Sequence, residues 1–270
     1  MRCTPPFKFT KLGPAITSNP HQQLLIIQNL VKHDSSRAFS VICGGGIECK
    51  IITGDNAFTA VKIAREIQMN SNSKSKIERF IIGDTHPDGT SGIIWRDYDT
   101  DSQIPEEDIA GCVATSLTHM QAVCNDLCPP PLPFALCITG SALTLLENPI
   151  LSANLAPTLD SLNVVPAISI FARVSPAQKA QIVSDIEEFG AVVGMCGDGG
   201  NDVSALRQAT FGFALSECWG GGWLRVVMQT FLNLLCVFVQ FCFCSFVSAI
   251  CLLQFCFCKT DSVIAAKRML

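Results

Sequence analysis

The chain has 270 residues, room for one or two compact domains with a real core. Its 19 Lys and Arg against 23 Asp and Glu give a net charge of −4 and a pI near 5.5, so no basic field exists to hold nucleic acid, and that partner class is excluded. Hydrophobic residues make up 49% and charged residues 16%, below the roughly 25% charged of typical soluble domains, and the mean hydropathy of +0.36 points to a membrane.

Residues 1–23 read as an N-terminal extension without the apolar stretch of a signal peptide. From Leu24 onward short apolar runs alternate with amphipathic stretches, the pattern of repeated strand-then-helix units. The expected fold is therefore α/β, a mostly parallel, Rossmann-like sheet with flanking helices. Strands are expected at Leu24–Ile27, Cys49–Ile52, Phe80–Ile82, Phe134–Ile138, Ala167–Phe171, Val192–Cys196 and Phe211–Leu215. The triplet Gly44-Gly45-Gly46 lacks a following Lys-Ser/Thr and reads as a turn. Asn70–Lys76 and Thr85–Gln103 read as surface loops, and Pro129–Pro133 as a stiff connector.

Three strand ends carry chemistry. Thr53-Gly54-Asp55-Asn56 precedes Ala57, Phe58, Val61, Ala64 and Ile67, which are spaced for a buried helical face. Asp55 or Asn56 can cap that helix, while the Thr53 hydroxyl and the turn amides can face an anion at its N-terminus. Ser175-Pro176-Ala177-Gln178-Lys179 has the form of a capping box with proline at the first helical position. Lys179 then sits where a cation opposes the helix dipole; it is either a solvated surface lysine or a point charge for a phosphoryl group. Gly197-Asp198-Gly199-Gly200-Asn201-Asp202 sets two carboxylates and an amide at a strand's carboxyl end, where open α/β sheets bind ligands. The glycines free the backbone, and Asp198 and Asp202 offer the hard oxygens that magnesium accepts alongside phosphate. No third glycine follows at the dinucleotide spacing, so a nicotinamide or flavin cofactor is not expected.

From Val226 to Cys258 run 33 residues without a charge, bounded by Arg225 and Lys259. As a helix this run would reach about 50 Å against a hydrocarbon core of about 30 Å, and it is expected to be one transmembrane segment rather than two. Its 18 Leu, Ile, Val and Phe residues favour insertion by about 5 to 11 kcal/mol as an upper bound. Six of the 15 cysteines lie in this run with no His or carboxylate beside them, so they are read as packing residues, and the cysteines as mostly reduced.

Taken together, the three turns resemble the phosphorylation domain of P-type ATPases, within the haloacid dehalogenase superfamily. The resemblance rests on Ile51-Ile-Thr-Gly-Asp-Asn56 with Thr59-Ala60, on Phe171-Ala-Arg-Val-Ser-Pro176 with Lys179, and on Met195-Cys-Gly-Asp-Gly-Gly-Asn-Asp202 with Ala205-Leu206, in that order. Cys196 and the segment holding Trp95 resemble the type V branch, which comprises polyamine or cation pumps and helix dislocases of the endoplasmic reticulum. Ala57–Met69 and Leu215-Ser216-Glu217 favour the pumps, whereas Val203 and Gln208 lean to the dislocases. The resemblance covers 24–217 and implies a partial phosphorylation domain there, followed by a linker at 218–225, the membrane segment at 226–258 and a tail at 259–270. It also implies roles. Asp198 would ligate Mg2+ and Asp202 would support it; Lys179, Thr53, Gly54 and Asn201 would hold the phosphoryl group; Asp55 and Arg173 would lie toward the nucleotide of ATP. The complete protein would move a cation or polyamine across an endomembrane of vacuolar or lysosomal type, with this domain facing the cytosol.

The Asp-Lys-Thr-Gly-Thr motif, whose Asp accepts the phosphoryl group in that family, occurs nowhere in the 270 residues. Two readings follow: a fragment of a pump working through an aspartyl-phosphate, or an inactive, membrane-tethered magnesium- and phosphate-binding module or truncated product. A stand-alone phosphatase would need an acidic nucleophile after an early strand, and no such residue pair precedes Thr53. A domain lacking its first segment is expected to leave a central strand without a neighbour, and 24–217 alone to be marginally stable.

Overall fold

The computed structural model describes residues 7–11, 25–29, 31, 34–69, 77–86, 92–125, 127, 129–147, 164–197, 200–214 and 263–267, with the strands 7–11, 25–29 and 263–267 described by their backbone. The chain divides into two compact units, Met1–His33 and Asp34–Leu270. In the first, β1 (Phe7–Lys11) pairs antiparallel with β2 (Leu25–Asn29). The strand expected at Leu24–Ile27 thus belongs to a two-stranded sheet of its own and not to the parallel one.

The second unit is built on eight strands, here β3 (Glu48–Ile52), β4 (Arg79–Thr85), β5 (Ile93–Asp97), β6 (Phe134–Thr139), β7 (Ile170–Ala172), β8 (Val192–Gly197), β9 (Phe211–Ala214) and β10 (Val263–Lys267). Their order across the sheet is β5-β4-β6-β7-β3-β10-β8-β9. The pairs β4 with β6, β6 with β7, β7 with β3, and β8 with β9 are parallel. The central strands are buried on both faces, which is why they read as unbroken apolar runs: Ile52, Ile81, Leu136, Ile138, Phe171, Val193 and Met195 all lie in one core.

Among the described residues six helices flank the sheet: α1 (Ser35–Gly44), α2 (Ala57–Glu66), α3 (Glu106–Cys124), α4 (Gly140–Glu147), α5 (Pro176–Glu188) and α6 (Val203–Gln208). In α2, Ala57, Ala60, Val61 and Ala64 form the buried stripe. Phe58, expected on that stripe, is instead 56% exposed and leans on the Tyr98 ring at 5.9 Å. In α5 the stripe is Lys179, Ile182, Val183 and Ile186, so the helix turns a lysine inward with its apolar residues.

Two expectations are corrected. Part of the loop read at Thr85–Gln103 is β5, a strand antiparallel to β4 in which Trp95 pairs with Gly83. Trp95 is buried because Gly83 has no side chain: a Cβ there would lie 2.6 Å from the indole ring. The strand expected from Ala167 starts at Ile170, because Val165–Ala167 is a 3-10 turn. That turn is held by Lys50 of β3, whose Nζ donates to the carbonyls of Pro166 at 2.8 Å and Ile168 at 2.7 Å. Among the described residues no helix is long and apolar enough to cross a membrane, and the run 226–258 lies outside them.

Candidate functional site

All three turns singled out in the sequence lie at the carboxyl end of the sheet. β3 ends at Ile52 and hands over to Thr53, whose buried hydroxyl accepts from the Asp55 amide at 2.9 Å. Asn56 caps α2, its Oδ1 accepting from the Phe58 amide at 2.8 Å. Gly54 and Asp55 are exposed at the tip of the turn, and a side chain on Gly54 would meet open space. The turn after β7 is zipped to this one by backbone bonds. Thr53 N donates to Phe171 O at 2.9 Å, Arg173 N to Asp55 O at 2.9 Å, and Val174 N to Thr53 O at 3.2 Å. Arg173 adopts a left-handed φ of 52°, uncommon for a residue with a side chain.

The second turn runs straight into α5, whose start is fixed by a complete capping box: Ser175 Oγ accepts from the Gln178 amide and Gln178 Oε1 from the Ser175 amide. One residue on, Lys179 is 4% exposed and Asp202 2%. Lys179 Nζ donates to Asp202 Oδ1 at 2.9 Å, which rules out the solvated-surface reading of Lys179. Asp202 can approach because β8 ends in glycine: a Cβ on Gly197 would sit 2.5 Å from Asp202 Oδ2. Ser204 Oγ, donating to Pro176 O at 3.0 Å, ties the third turn to the start of α5. Asn201 is exposed beside Asp202. Asp198 and Gly199 lie outside the described residues.

Removing an ammonium and a carboxylate from water costs several kcal/mol per ion, returned only by close pairing and further hydrogen bonds. A buried Lys179–Asp202 pair at the carboxyl end of a parallel sheet is therefore a costly device at the position where such sheets bind ligands. Magnesium chemistry fits the carboxylate donor and the glycine cradle beside it, although among the described residues no three His, Cys, Asp or Glu side chains gather into a metal site.

A further cluster went unremarked in the sequence. β6 ends Ile138-Thr139-Gly140, repeating the Ile-Thr-Gly wording of β3, and that repetition was the signal. Gln178 Nε2 donates to Gly140 O at 2.7 Å and to Thr144 Oγ1 at 3.1 Å, and a Cβ on Gly140 would lie 2.5 Å from Arg173 O. The start of α4 is thus clamped against the second turn.

No protein-family model matches the chain. Over 195 residues it is 30% identical to the vacuolar cation-transporting ATPase YPK9 of Saccharomyces cerevisiae, a match covering 72% of this chain and 12% of that protein. The polyamine-transporting ATPase 13A2 of Mus musculus matches at 30% over 195 residues, 72% of this chain and 15% of its own. An endoplasmic reticulum transmembrane helix translocase of Schizosaccharomyces pombe matches at 27% over 191 residues, 71% of this chain and 13% of its own. With the sheet, the three tied turns and these relatives in place, the chain belongs to the P-type ATPases. Within them it belongs to the type V branch, and it spans about an eighth of the length of the relatives named.

Proposed function

We propose that the chain is the magnesium- and phosphate-handling part of a type V P-type ATPase, whose complete form couples ATP hydrolysis to movement of a cation or polyamine through an aspartyl-phosphate. The observation that carries this is the buried Lys179–Asp202 pair, tied through α5 and the Phe171–Val174 turn to Thr53. In this reading Lys179, Thr53, Gly54 and Asn201 hold the phosphoryl oxygens, and Asp55 and Arg173 face the nucleotide. Asp198 and Asp202 hold Mg2+, which when bound neutralises phosphoryl charge. Asp202 also fixes the Lys179 ammonium, so that the cation is already in place and pays no reorganisation when charge develops. Residues 24–217 make up the partial phosphorylation domain on the cytosolic side of an endomembrane, 218–225 link it to the run 226–258, which meets lipid, and 259–270 follow.

The missing Asp-Lys-Thr-Gly-Thr motif favours a second reading of the isolated chain, a module that binds magnesium and phosphate without turnover. The two separate on labelling with γ-phosphate-labelled ATP and on sequencing the transcript across both ends. The 270-residue chain is expected to form no acid-stable phosphoenzyme, whereas an open reading frame continuing upstream through the missing motif would encode a protein that does. In that protein Asp198→Asn should cripple phosphoenzyme formation, and normal labelling of the variant would overturn the assignment.

A further inference from the structure

The capping box that starts α5 asks its third helical residue only for an acceptor, and a helix N-terminus favours an anion, so glutamate would fill the place well. The first turn of α5 instead holds no acid, and the residue is Gln178. All of its amide is engaged. Oε1 accepts from the Ser175 amide at 2.9 Å, while Nε2 donates to Gly140 O at 2.7 Å and to Thr144 Oγ1 at 3.1 Å. The partners fix the orientation of the amide, since the Ser175 N–H only donates and the Gly140 carbonyl only accepts. A carboxylate here would keep the box and lose both bonds to α4. The choice of glutamine over glutamate is therefore explained by α4 and not by the cap. The Thr144 hydroxyl donates to the same Gly140 carbonyl at 3.0 Å, so that oxygen collects two donors.

Lys179 is the next residue in the chain, so whatever fixes the start of α5 also places its ammonium. Ties to three elements do this. Arg173 N and Val174 N bond the residues before the helix to Asp55 O and Thr53 O of the first turn. Ser204 Oγ bonds Pro176 O to the third turn. Gln178 bonds the helix to α4. The packing on that side is close: a Cβ on Gly140 would lie 2.5 Å from Arg173 O and 2.9 Å from Gln178 Oε1. Ser175, Pro176 and Ala177 are exposed, so the first turn of α5 has little burial of its own to hold it. We propose that Gln178 is a positioning residue for the phosphate site, holding the first turn of α5, and with it Lys179, in register with the Thr53 turn. The neutrality of its amide serves the same end, because a carboxylate at 178 would set a second negative charge beside a lysine that is to attract an anion. The inference rests on the reading of Lys179 as the phosphoryl-binding cation.

The test is calorimetric titration of the full chain and its variants with inorganic phosphate and magnesium. Gln178→Met removes the amide at nearly equal length and adds no charge. Ser175→Ala removes half of the capping box and leaves the three bonds of the Gln178 side chain in place. The account expects Gln178→Met to weaken phosphate binding about tenfold, as loss of a group that orients a ligand does. Ser175→Ala is expected to bind as the unaltered chain does, although urea unfolding shows both helix starts weakened. Unchanged affinity in Gln178→Met would overturn the proposal. Equal losses in Gln178→Met and Ser175→Ala would overturn it too, by making Gln178 a cap and nothing more. If Gln178→Met does not fold by circular dichroism, Gly140→Ala decides, since its Cβ drives α4 from Arg173 with Gln178 still present; unweakened binding there would overturn the proposal. Lys179→Gln in the same series separates this inference from the reading beneath it. A loss in Lys179→Gln without one in Gln178→Met removes the inference alone, whereas an unaltered chain that binds no phosphate, or full binding by Lys179→Gln, removes both.

Discussion

Among the described residues two lysines are buried, Lys50 and Lys179, and they are held in opposite ways. Lys50, 1% exposed, donates to two neutral carbonyls and holds a 3-10 turn against β3 at the amino end of the sheet. Lys179, 4% exposed, is paired with a carboxylate at the carboxyl end. Carbonyl dipoles do not replace the hydration of an ammonium fully, and burial pulls Lys50 down from its ordinary 10.5 to about 8, with Glu48 opposing. A fastener can tolerate losing its proton, because neutral lysine still donates. Lys179 instead faces a carboxylate, with Nζ 2.9 Å from Asp202 Oδ1. The difference separates a lysine held by neutral dipoles from one held by a countercharge.

The comparison breaks most sharply at Asp202. Asp202→Ala leaves Lys179 buried without its carboxylate, and urea unfolding should show a loss of about 3–5 kcal/mol; a loss below about 1 kcal/mol would mean that the pair is not desolvated. Lys50 answers to pH instead. The unfolded chain keeps this proton up to about pH 10.5 and the folded chain releases it near pH 8. Between those values the unfolded state binds more protons, so stability rises with pH, by at most about 3 kcal/mol across the window. Lys50→Met should abolish that rise, and an identical pH profile in the variant would contradict the role given to Lys50. Gly197→Ala should cost about 1–3 kcal/mol, because the added Cβ would displace the Asp202 carboxylate. Ser175→Ala, which removes one half of the capping box, should cost about 1 kcal/mol, read by the same unfolding experiment.

Much of the site was legible because each turn carries local instructions. Asn56 caps, Ser175 and Gln178 box, Pro176 starts a helix, and these need no distant partner. The inward face of Lys179 was also written locally, three, four and seven residues before Ile182, Val183 and Ile186. What was not legible depends on contacts far apart in sequence. Trp95 is a core residue only because Gly83 lies across from it. Phe58 has the spacing of a core residue, yet Ala60 takes the place on the stripe and Phe58 meets Tyr98. In α3 the buried Ile109, Val113, Met120 and Val123 are interleaved with Ala110, Cys112, Ala114 and Leu117, which blurs the period. The expectation of a central strand without a neighbour is not met, because β3 pairs with β7 and β10, and β8 with β10 and β9. Val263–Lys267 lies between β3 and β8, and five residues beyond a long apolar run carry no signal of so distant a pairing.

The most direct test of the central claim sets the two lysines against each other in one titration, inorganic phosphate with magnesium added to the full chain and followed by calorimetry. The account predicts that Lys179→Gln, verified as folded, weakens phosphate binding at least tenfold, while Lys50→Met binds as the unaltered chain does. Equal affinity in the Lys179→Gln variant would contradict it.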